Sequence, residues 1–207
     1  MPDADEHYFS ARPRVASRGG TVRVSLPDVQ LELRTDSGVF SHERLDAGTR
    51  ILLQHAPAPR VRGDILDLGC GYGPIALTMA IRRKRARVWA VDVNERALDL
   101  VRENAERAGR GNVVACTPDD VPADVRFAAI YSNPPIRIGK QALHDLLLRW
   151  LGRLLPGGMA VLVVHKHLGS DSLARFLNDA GYPTTRLLSE RGYRLLEVRS
   201  GGPESNG

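Results

Sequence analysis

The segment best suited to chemistry is Ser132-Asn133-Pro134-Pro135-Ile136, which ends an apolar stretch typical of a buried strand. Two consecutive prolines fix the backbone, and their nitrogens carry no N–H that could pair with a neighbouring strand. The side-chain oxygen of Asn133 and the carbonyl of Pro134 can therefore both accept from one –NH₂ group. Such acceptors would aim the lone pair of an amine at an electrophile. The competing interpretation is a rigid turn without a chemical role.

A glycine-rich turn lies between a strand predicted over Asp64 to Leu68 and a helix that Pro74 opens. Its sequence, Gly69-Cys70-Gly71-Tyr72-Gly73, has the spacing G-x-G-x-G rather than the G-x-G-x-x-G of dinucleotide sites. Asp67 could accept from an ammonium group, and Asp92, after the next strand, could accept from ribose hydroxyls. A ligand that combines an amino acid, a ribose and an adenine would suit these acceptors, so the sequence predicts S-adenosylmethionine as the cofactor. For Asp92, the alternative is an acid at a helix start.

Two further pairs of polar residues have both a chemical and a structural interpretation. Asp119 and Asp120 follow a third predicted strand, where they could accept from the adenine amino group or form a surface turn. His165 and His167 could share one face of a strand, but the sequence offers no third ligand. We therefore expect no metal.

Basic residues form one dense run and several scattered sites. The run Arg82-Arg83-Lys84-Arg85, followed by Arg87, could contact RNA phosphates. It also ends a predicted helix, where the dipole favours cations, and it points away from the carboxyl ends of the strands. For this reason we favour a solvated role. The better candidates for substrate phosphates flank the Asn-Pro-Pro turn or lie in the N-terminal arm: Arg137, Lys140, Arg12, Arg14 and Arg18.

The overall charge is consistent with a polyanionic partner. The 207 residues carry a formal net charge of +5, and Arg and Lys neutralise phosphates. Cys70 and Cys116 are in no metal-ligand spacing and form no disulfide framework, which favours the cytoplasm. The polar N-terminus is unlike a signal peptide, and the apolar stretches are too short to span a membrane.

Alternating strands and helices must position these residues. From Gly63 onwards the pattern predicts five strands with helices between them, then two strands joined by Arg191-Gly192. This order predicts an α/β fold with a mostly parallel seven-stranded sheet and an antiparallel C-terminal edge hairpin. Ahead of it, Thr21 to Leu26 and Val29 to Arg34 predict an N-terminal β-hairpin, and Leu45 to His55 a short helix.

The same pattern divides the chain into three regions. Residues 1–55 are predicted to form an arm, the hairpin and the short helix, all packing on the core. Residues 56–199 form the catalytic domain, and residues 200–207 a disordered tail. Within the catalytic domain, a helix is predicted from Lys140 to Leu154, where Pro156-Gly157-Gly158 stops it before a strand from Met159 to His165.

Several motifs resemble those of a known family. They are His7-Tyr8-Phe9-Ser10, Ser37-Gly38-Val39-Phe40-Ser41, Leu45-Asp46 with Gly48-Thr49, Asp67 through Ile75, Val91-Asp92 with Asn94 and Ala97, and Ser132 through Lys140. By these motifs the chain is similar to class I methyltransferases of the ribosomal RNA guanine-N2 type, the RsmC-like "methyltransferase small domain" family. The glycine loop is general to class I methyltransferases. The Asn-Pro-Pro segment narrows the target to an exocyclic or amide nitrogen.

The resemblance implies a Rossmann-like fold and a set of site residues. The segment with Phe40, Asp46 and Thr49 would close over the methionine end of the cofactor. Further cofactor contacts would come from the glycine loop and the ends of the strands: Asp67, Gly69, Cys70, Gly71, Tyr72, Asp92, Val93, Asp119 and Asn133. Asn133 and Pro134 would hold the guanine amino group, with Pro135 and Ile136 completing the catalytic turn.

The chain departs from the family pattern at three points. Ile136 occupies a position that is often aromatic and stacks on the target base, and Ala128 one that is commonly Asp. The long members carry a second, degenerate methyltransferase domain that helps bind RNA. In this sequence we expect only an arm and a hairpin in its place.

Together these observations predict methyl transfer from S-adenosylmethionine to the 2-amino group of a guanine in small-subunit (16S) ribosomal RNA. The partner would be ribosomal RNA or the small ribosomal subunit. Adenine N6 and a protein glutamine N5 amide are alternative targets for the same chemistry. A non-catalytic RNA-binding or assembly protein with a vestigial site is an alternative of another class, against which the intact Asp67, Asp92 and Asn133 argue.

Overall fold

The structure, a computed structural model, describes residue 16 and residues 18–201. Its strands and α-helices are β1 (Gly19–Ser25), β2 (Gln30–Asp36), α1 (Ala47–His55), β3 (Asp64–Leu68), α2 (Pro74–Arg82), β4 (Val88–Val91), α3 (Glu95–Arg107), β5 (Val113–Cys116), β6 (Phe127–Ser132), α4 (Lys140–Leu151), β7 (Leu154–His165), α5 (Ser170–Asp179), β8 (Thr184–Glu190) and β9 (Tyr193–Arg199). Short 3₁₀ turns at Ile136–Ile138 and Lys166–Leu168 follow β6 and β7. Within the described residues, no helix combines the length and apolarity needed to cross a membrane.

Seven strands form one sheet in the order β5-β4-β3-β6-β7-β9-β8. The first five strands of this order pair in parallel, whereas β9 runs antiparallel to both β7 and β8. From β3 the chain moves to β4 and β5 on one side and later to β6 on the other, so the order reverses between β3 and β6. Open α/β sheets bind ligands at such a reversal, beside the carboxyl ends of the strands. The predicted fold class, including the antiparallel edge, is confirmed.

The central strands are apolar along their length because helices cover both faces of the sheet. Every residue of β4 and β6 is buried. One face packs with α1, α2 and α3 around Leu52, Leu77 and Leu98. The other packs with α4 and α5 around Phe127 and Trp150. Strands buried on both sides require such continuous apolar runs, which explains why their positions could be predicted.

The N-terminal hairpin shares the core of the sheet. β1 and β2 pair Val22 with Leu33, and both side chains are buried in the cluster that contains α1, α2 and α3. Asn104 of α3 is 1% exposed; it accepts from the backbone N–H of Arg34 at 2.7 Å and donates to the carbonyls of Arg34 and Tyr72 at 2.9 and 3.0 Å. A buried amide satisfied in this way fixes one arrangement of its neighbours. The predicted hairpin is confirmed, and the boundary after residue 55 stays a proposal.

The short helix predicted from Leu45 begins two residues later, at Ala47, with Asp46 as its N-cap. The predicted boundary between α4 and β7 is also wrong. α4 ends at Leu151 rather than Leu154, and β7 already begins at Leu154. β7 pairs with β6 on both sides of Pro156-Gly157-Gly158, with a shift of register between the two stretches. These three residues therefore form a bulge inside the strand, in which Gly157 has a φ of 75°.

Some sequence predictions fall outside the described residues. They concern the motif His7-Tyr8-Phe9-Ser10, the arm residues Arg12 and Arg14, and the predicted tail from residue 202 onwards. Ser200, the first residue of that predicted tail, accepts from the N–H of Gly157 at 3.0 Å and donates its own N–H to the carbonyl of Gly158 at 3.0 Å.

Candidate active site

The glycine loop connects β3 to α2 at the carboxyl edge of the sheet. Gly69 donates its N–H to the carbonyl of Val91, the last residue of β4, at 2.8 Å. Gly73 is the N-cap of α2 with a φ of 89°, and a Cβ there would lie 3.0 Å from Leu77 and 3.1 Å from Val101. Only glycine suits both this backbone conformation and this space. The first turn of α2 therefore lies close against α3, with its N–H groups at the ligand-binding edge.

Asp92 lies directly after β4 and accepts two backbone hydrogen bonds. The N–H of Gly71 donates to Oδ2 at 2.9 Å and that of Asn94 to Oδ1 at 3.0 Å. Asn94, rather than Asp92, caps α3. Burial raises the pKa of Asp92, and these N–H groups oppose the shift. The carboxyl group thus lies between the glycine loop and α3, and its contact with ribose hydroxyls stays a prediction.

Asp67, on β3, is 1% exposed and has one orphaned oxygen. Its Oδ2 accepts from the N–H of Ala76 in the first turn of α2 at 2.8 Å. Its Oδ1 is buried and has no hydrogen-bond partner among the described residues. Burial raises the pKa of Asp67 to about 8, Asp92 adds to the increase, and the N–H of Ala76 opposes it. Because an unsatisfied buried oxygen is costly, this atom suits a cationic N–H donor of a ligand.

The Asn-Pro-Pro turn starts where β6 ends, beside the glycine loop. A Cβ on Gly69 would lie 3.8 Å from Cδ of Pro135. Ser132 is fully buried and donates to the carbonyl of Leu68 at 2.7 Å, which joins the carboxyl ends of β6 and β3. The two segments that the sequence predicts to share a crevice are therefore adjacent.

Pro135 is the centre of a tight turn that shapes the predicted acceptors. Its φ of −74° and ψ of 76° are those of an inverse γ-turn, in which the N–H of Ile136 donates to the carbonyl of Pro134 at 2.8 Å. One lone pair of the Pro134 carbonyl is thus used within the chain, and the second is available to a ligand. Ile136 is partly buried against the cluster on the α4 and α5 face.

Asn133 is held by the start of α1. Its Nδ2 donates to Oδ2 of Asp46 at 2.8 Å and to Oγ1 of Thr49 at 3.1 Å. Asp46 is the N-cap of α1, and the same Oδ2 accepts from the N–H of Thr49 at 2.8 Å. A carboxylate only accepts, so the amide nitrogen of Asn133 must face Asp46 and its Oδ1 must face away. Within the described residues this Oδ1 accepts no hydrogen bond.

Two tyrosines lie near Asp46. A Cβ on Gly48 would lie 2.8 Å from Cε1 of Tyr193, and burial together with the Asp46 carboxylate raises the pKa of Tyr193. Tyr72 is 2% exposed, its pKa is also raised by burial and by Asp46, and its hydroxyl has no partner among the described atoms. Tyr72 was predicted as a site residue. Tyr193 was missed, because it belongs to β9 and nothing in its sequence neighbourhood marks it.

The segment between β2 and α1 lies beside the glycine loop. Asn94 donates from Nδ2 to the carbonyl of Gly38 at 3.0 Å, which attaches this segment to the start of α3. A Cβ on Gly71 would lie 4.0 Å from Val39. Phe40 is 44% exposed, and its closure over the cofactor stays a prediction. The contact of Asn94 was missed, although its place two residues after Asp92 was a usable signal.

The other predicted cofactor residues differ in burial. Cys70 is buried in the glycine loop, and burial raises the pKa of its thiol, which suits a packing role. Val93 is 45% exposed. Asp119 forms an exposed ion pair with Arg149 at 3.1 Å, which fits the surface-turn alternative, and its contact with adenine stays a prediction.

Among the predicted substrate contacts, Lys140 is exposed at the start of α4. The side chain of Arg137 lies outside the described part. The rings of His165 and His167 are 5.4 Å apart. Nowhere in residues 18–201 do three or more His, Cys, Asp or Glu side chains group together in a way that could hold a metal ion.

Comparison with known proteins shows which family the chain belongs to. The model of the methyltransferase small domain matches residues 30–197. The uncharacterized protein YbxB of Bacillus subtilis (strain 168) is 36% identical over 197 residues, covering 94% of this chain and 98% of that protein. Ribosomal RNA small subunit methyltransferase C of Pseudomonas aeruginosa (strain LESB58) is 35% identical over 185 residues, covering 86% of this chain and 54% of that protein.

A solved structure agrees in fold. The T. thermophilus 16S rRNA N2 methyltransferase (RsmC), in complex with AdoMet and guanosine, superposes with a TM-score of 0.73 at 23% sequence identity, covering 91% of this chain and 52% of that chain. The chain thus spans about half the length of the RsmC proteins that it matches. The match over residues 30–197 and the motifs agree, and the chain belongs to the methyltransferase small domain family, the RsmC-like class I methyltransferases.

Proposed function

We propose that this protein transfers a methyl group from S-adenosylmethionine to the exocyclic 2-amino group of a guanine in small-subunit ribosomal RNA. Family membership gives the reaction class. The observation that carries the proposal is the orientation of Asn133, whose nitrogen is bound by Asp46 and Thr49 so that its oxygen is left as an acceptor. The relatives named for 16S ribosomal RNA support the choice of substrate, and such a substrate suits a cytoplasmic protein.

The residues at the crevice fit this cofactor. The orphaned Oδ1 of Asp67 suits the ammonium group, and the glycine loop allows close approach of the backbone. Asp92, at the end of β4, suits the ribose hydroxyls. When bound, S-adenosylmethionine supplies an electrophilic methyl group that is already activated by its sulfonium.

The chain then has to orient the amine. The Oδ1 of Asn133 and the second lone pair of the Pro134 carbonyl accept from the two N–H groups of the amine. These hydrogen bonds favour a tetrahedral nitrogen, whose lone pair is withdrawn from the π-system of the base and is more nucleophilic. The same acceptors stabilise the positive charge on the nitrogen until it loses a proton. Ile136 packs against the base, and Arg137 and Lys140 contact phosphates of the RNA.

Incorporation of labelled methyl groups into small-subunit RNA tests this proposal. The Asn133→Ala variant should lose incorporation by at least about 100-fold, on the scale of a lost transition-state hydrogen-bond partner. Asn178→Ala is the matched control, because Asn178 also makes side-chain hydrogen bonds, to Ala174 and Thr184, but lies in α5 away from the crevice. Equal incorporation by the two variants would contradict the role of Asn133, and no incorporation by the parent protein would contradict the function.

A further inference from the structure

A second groove lies at the edge of the sheet opposite the candidate active site. It encloses about 430 Å³ between the segment that leads into β3 and the turn that joins α2 to β4. Both segments meet the sheet at the amino ends of the strands, where the N–H of Ile65 donates to the carbonyl of Arg87 at 2.9 Å. Four arginines line this basic groove: Arg60, Arg62, Arg83 and Arg85.

Most of the positive charge in the basic groove is not neutralised. Asp64 is the one carboxylate in its described lining, and its Oδ2 accepts from Nε1 of Trp89 at 2.8 Å. Arg60 lies 3.7 Å from Glu197. Within the described residues, Arg62, Arg83 and Arg85 form no ion pair.

Hydrogen bonds to backbone carbonyls fix the turn that carries Arg83 and Arg85. The N–H of Ala86 donates to the carbonyl of Arg83 at 2.9 Å, and Nδ2 of Asn112 donates to the carbonyl of Ala86 at 2.9 Å. Cations on a fixed backbone lose less freedom when they bind a ligand. The backbone positions of Arg83 and Arg85 are therefore fixed before a ligand binds.

Arg82 differs from the rest of the basic run. Its Nε and Nη2 donate to the two carboxylate oxygens of Asp28 at 2.7 and 2.9 Å, and its Nη1 donates to the carbonyl of Leu53 at 2.9 Å. It is also the last residue of α2, so the helix-dipole explanation applies to Arg82. The residues that follow lie beyond the helix and are exposed: Arg83, Lys84, Arg85 and Arg87.

We propose that the basic groove binds the phosphate backbone of a folded RNA, as a contact additional to the active site. Guanidinium groups match phosphate oxygens in charge and in bidentate geometry. The five residues of β3 separate this groove from the glycine loop by roughly 16 Å. A partner that reaches both must extend around the edge of the sheet, which suits folded ribosomal RNA better than a short single strand. The identity of the RNA rests on the proposed function.

Two double variants with the same change of charge test the groove. R83E/R85E changes the groove, whereas R175E/R186E changes exposed arginines on α5 and β8, at the far edge of the sheet. Filter binding to 16S ribosomal RNA is measured over a series of salt concentrations. We expect R83E/R85E to weaken binding about tenfold or more and to reduce the slope of log affinity against log salt by about 1 to 2. Binding by R83E/R85E equal to that of R175E/R186E overturns the proposal.

Folding and function are controlled separately. Melting curves check both double variants, and R62E, on the other wall of the groove, replaces R83E/R85E if that variant does not fold. R62E should also bind less RNA than R175E/R186E, and equal binding counts against the groove. If the parent protein methylates guanine but the groove variants bind RNA as well as R175E/R186E does, only the groove proposal is overturned. If the groove variants lose salt-dependent RNA binding but the parent protein produces no methylated guanine, only the proposed function is overturned.

Discussion

Asp46 should control the orientation of Asn133 without touching the target amine. Its Oδ2 accepts from Nδ2 of Asn133 and from the N–H of Thr49, both at 2.8 Å. Asp46→Ala removes both contacts and so combines a loss of helix capping with a loss of amide orientation. Asp46→Ser separates the two effects, because serine caps helices well but its hydroxyl ends one bond short of the Asp46 oxygen.

The expected magnitudes follow from these two contacts. A hydrogen bond to a charged group contributes about 1.5–3 kcal/mol. Since about 1.4 kcal/mol is a factor of ten in rate, losing the hold on Asn133 should lower the rate constant of methyl transfer by about 10- to 100-fold in both variants. Loss of the cap should lower the free energy of unfolding by about 1 kcal/mol in Asp46→Ala, and by much less in Asp46→Ser.

Single-turnover methyl transfer at saturating RNA and cofactor measures the first effect, and chemical denaturation measures the second. We expect both variants to be slow and only Asp46→Ala to be clearly less stable. An Asp46→Ser variant with the parental rate would refute the orientation role. A loss of rate that is seen at low cofactor concentration and disappears at saturating cofactor would show instead that Asp46 holds the cofactor, as the family resemblance implies.

Three further predictions concern the core and the base contact. Asp67→Asn should raise the melting temperature more at pH 8 than at pH 5. The pKa of Asp67 is about 8 in the folded protein against an ordinary value of 3.8, so between these two pH values the unfolded chain releases the proton and the folded chain keeps it. The free energy of unfolding therefore falls as pH rises towards 8, by up to about 1.4 kcal/mol per pH unit. An equal rise in melting temperature at both pH values would contradict this. Asn104→Ala leaves groups of Arg34 and Tyr72 unpaired and should lower the free energy of unfolding by about 2–4 kcal/mol in denaturant titrations, against little loss for Asn178→Ala. Ile136→Phe should lower KM for RNA severalfold by stacking on the base, and an unchanged KM would argue against that contact.

The order of strands and helices could be predicted because the buried strands leave a visible pattern. β4 and β6 are buried at every position and therefore consist of uninterrupted apolar runs. The end of α4 could not be predicted in the same way. Pro156-Gly157-Gly158 can stop a helix or form a bulge in a strand, and the pairing of β7 with β6 decides between them.

The residue types of the candidate site could be predicted, but their contacts could not. Asn133 and Asp46 stand in recognisable motifs, yet their hydrogen bond joins positions 87 residues apart. Tyr193 reaches the vicinity of Asp46 only through the antiparallel edge of the sheet. The basic run likewise appeared to be a solvated helix end, because its proximity to Arg60 and Arg62 depends on β3 and β4 starting side by side.

Nucleoside analysis of the methylated RNA tests the central claim most directly. Small-subunit RNA is incubated with the protein and S-adenosylmethionine carrying a labelled methyl group, then digested to nucleosides and resolved by mass spectrometry. We predict label in N2-methylguanosine, absent with Asn133→Ala and present with Asn178→Ala. Label in N6-methyladenosine with none in N2-methylguanosine, or no label in any nucleoside, would contradict the claim.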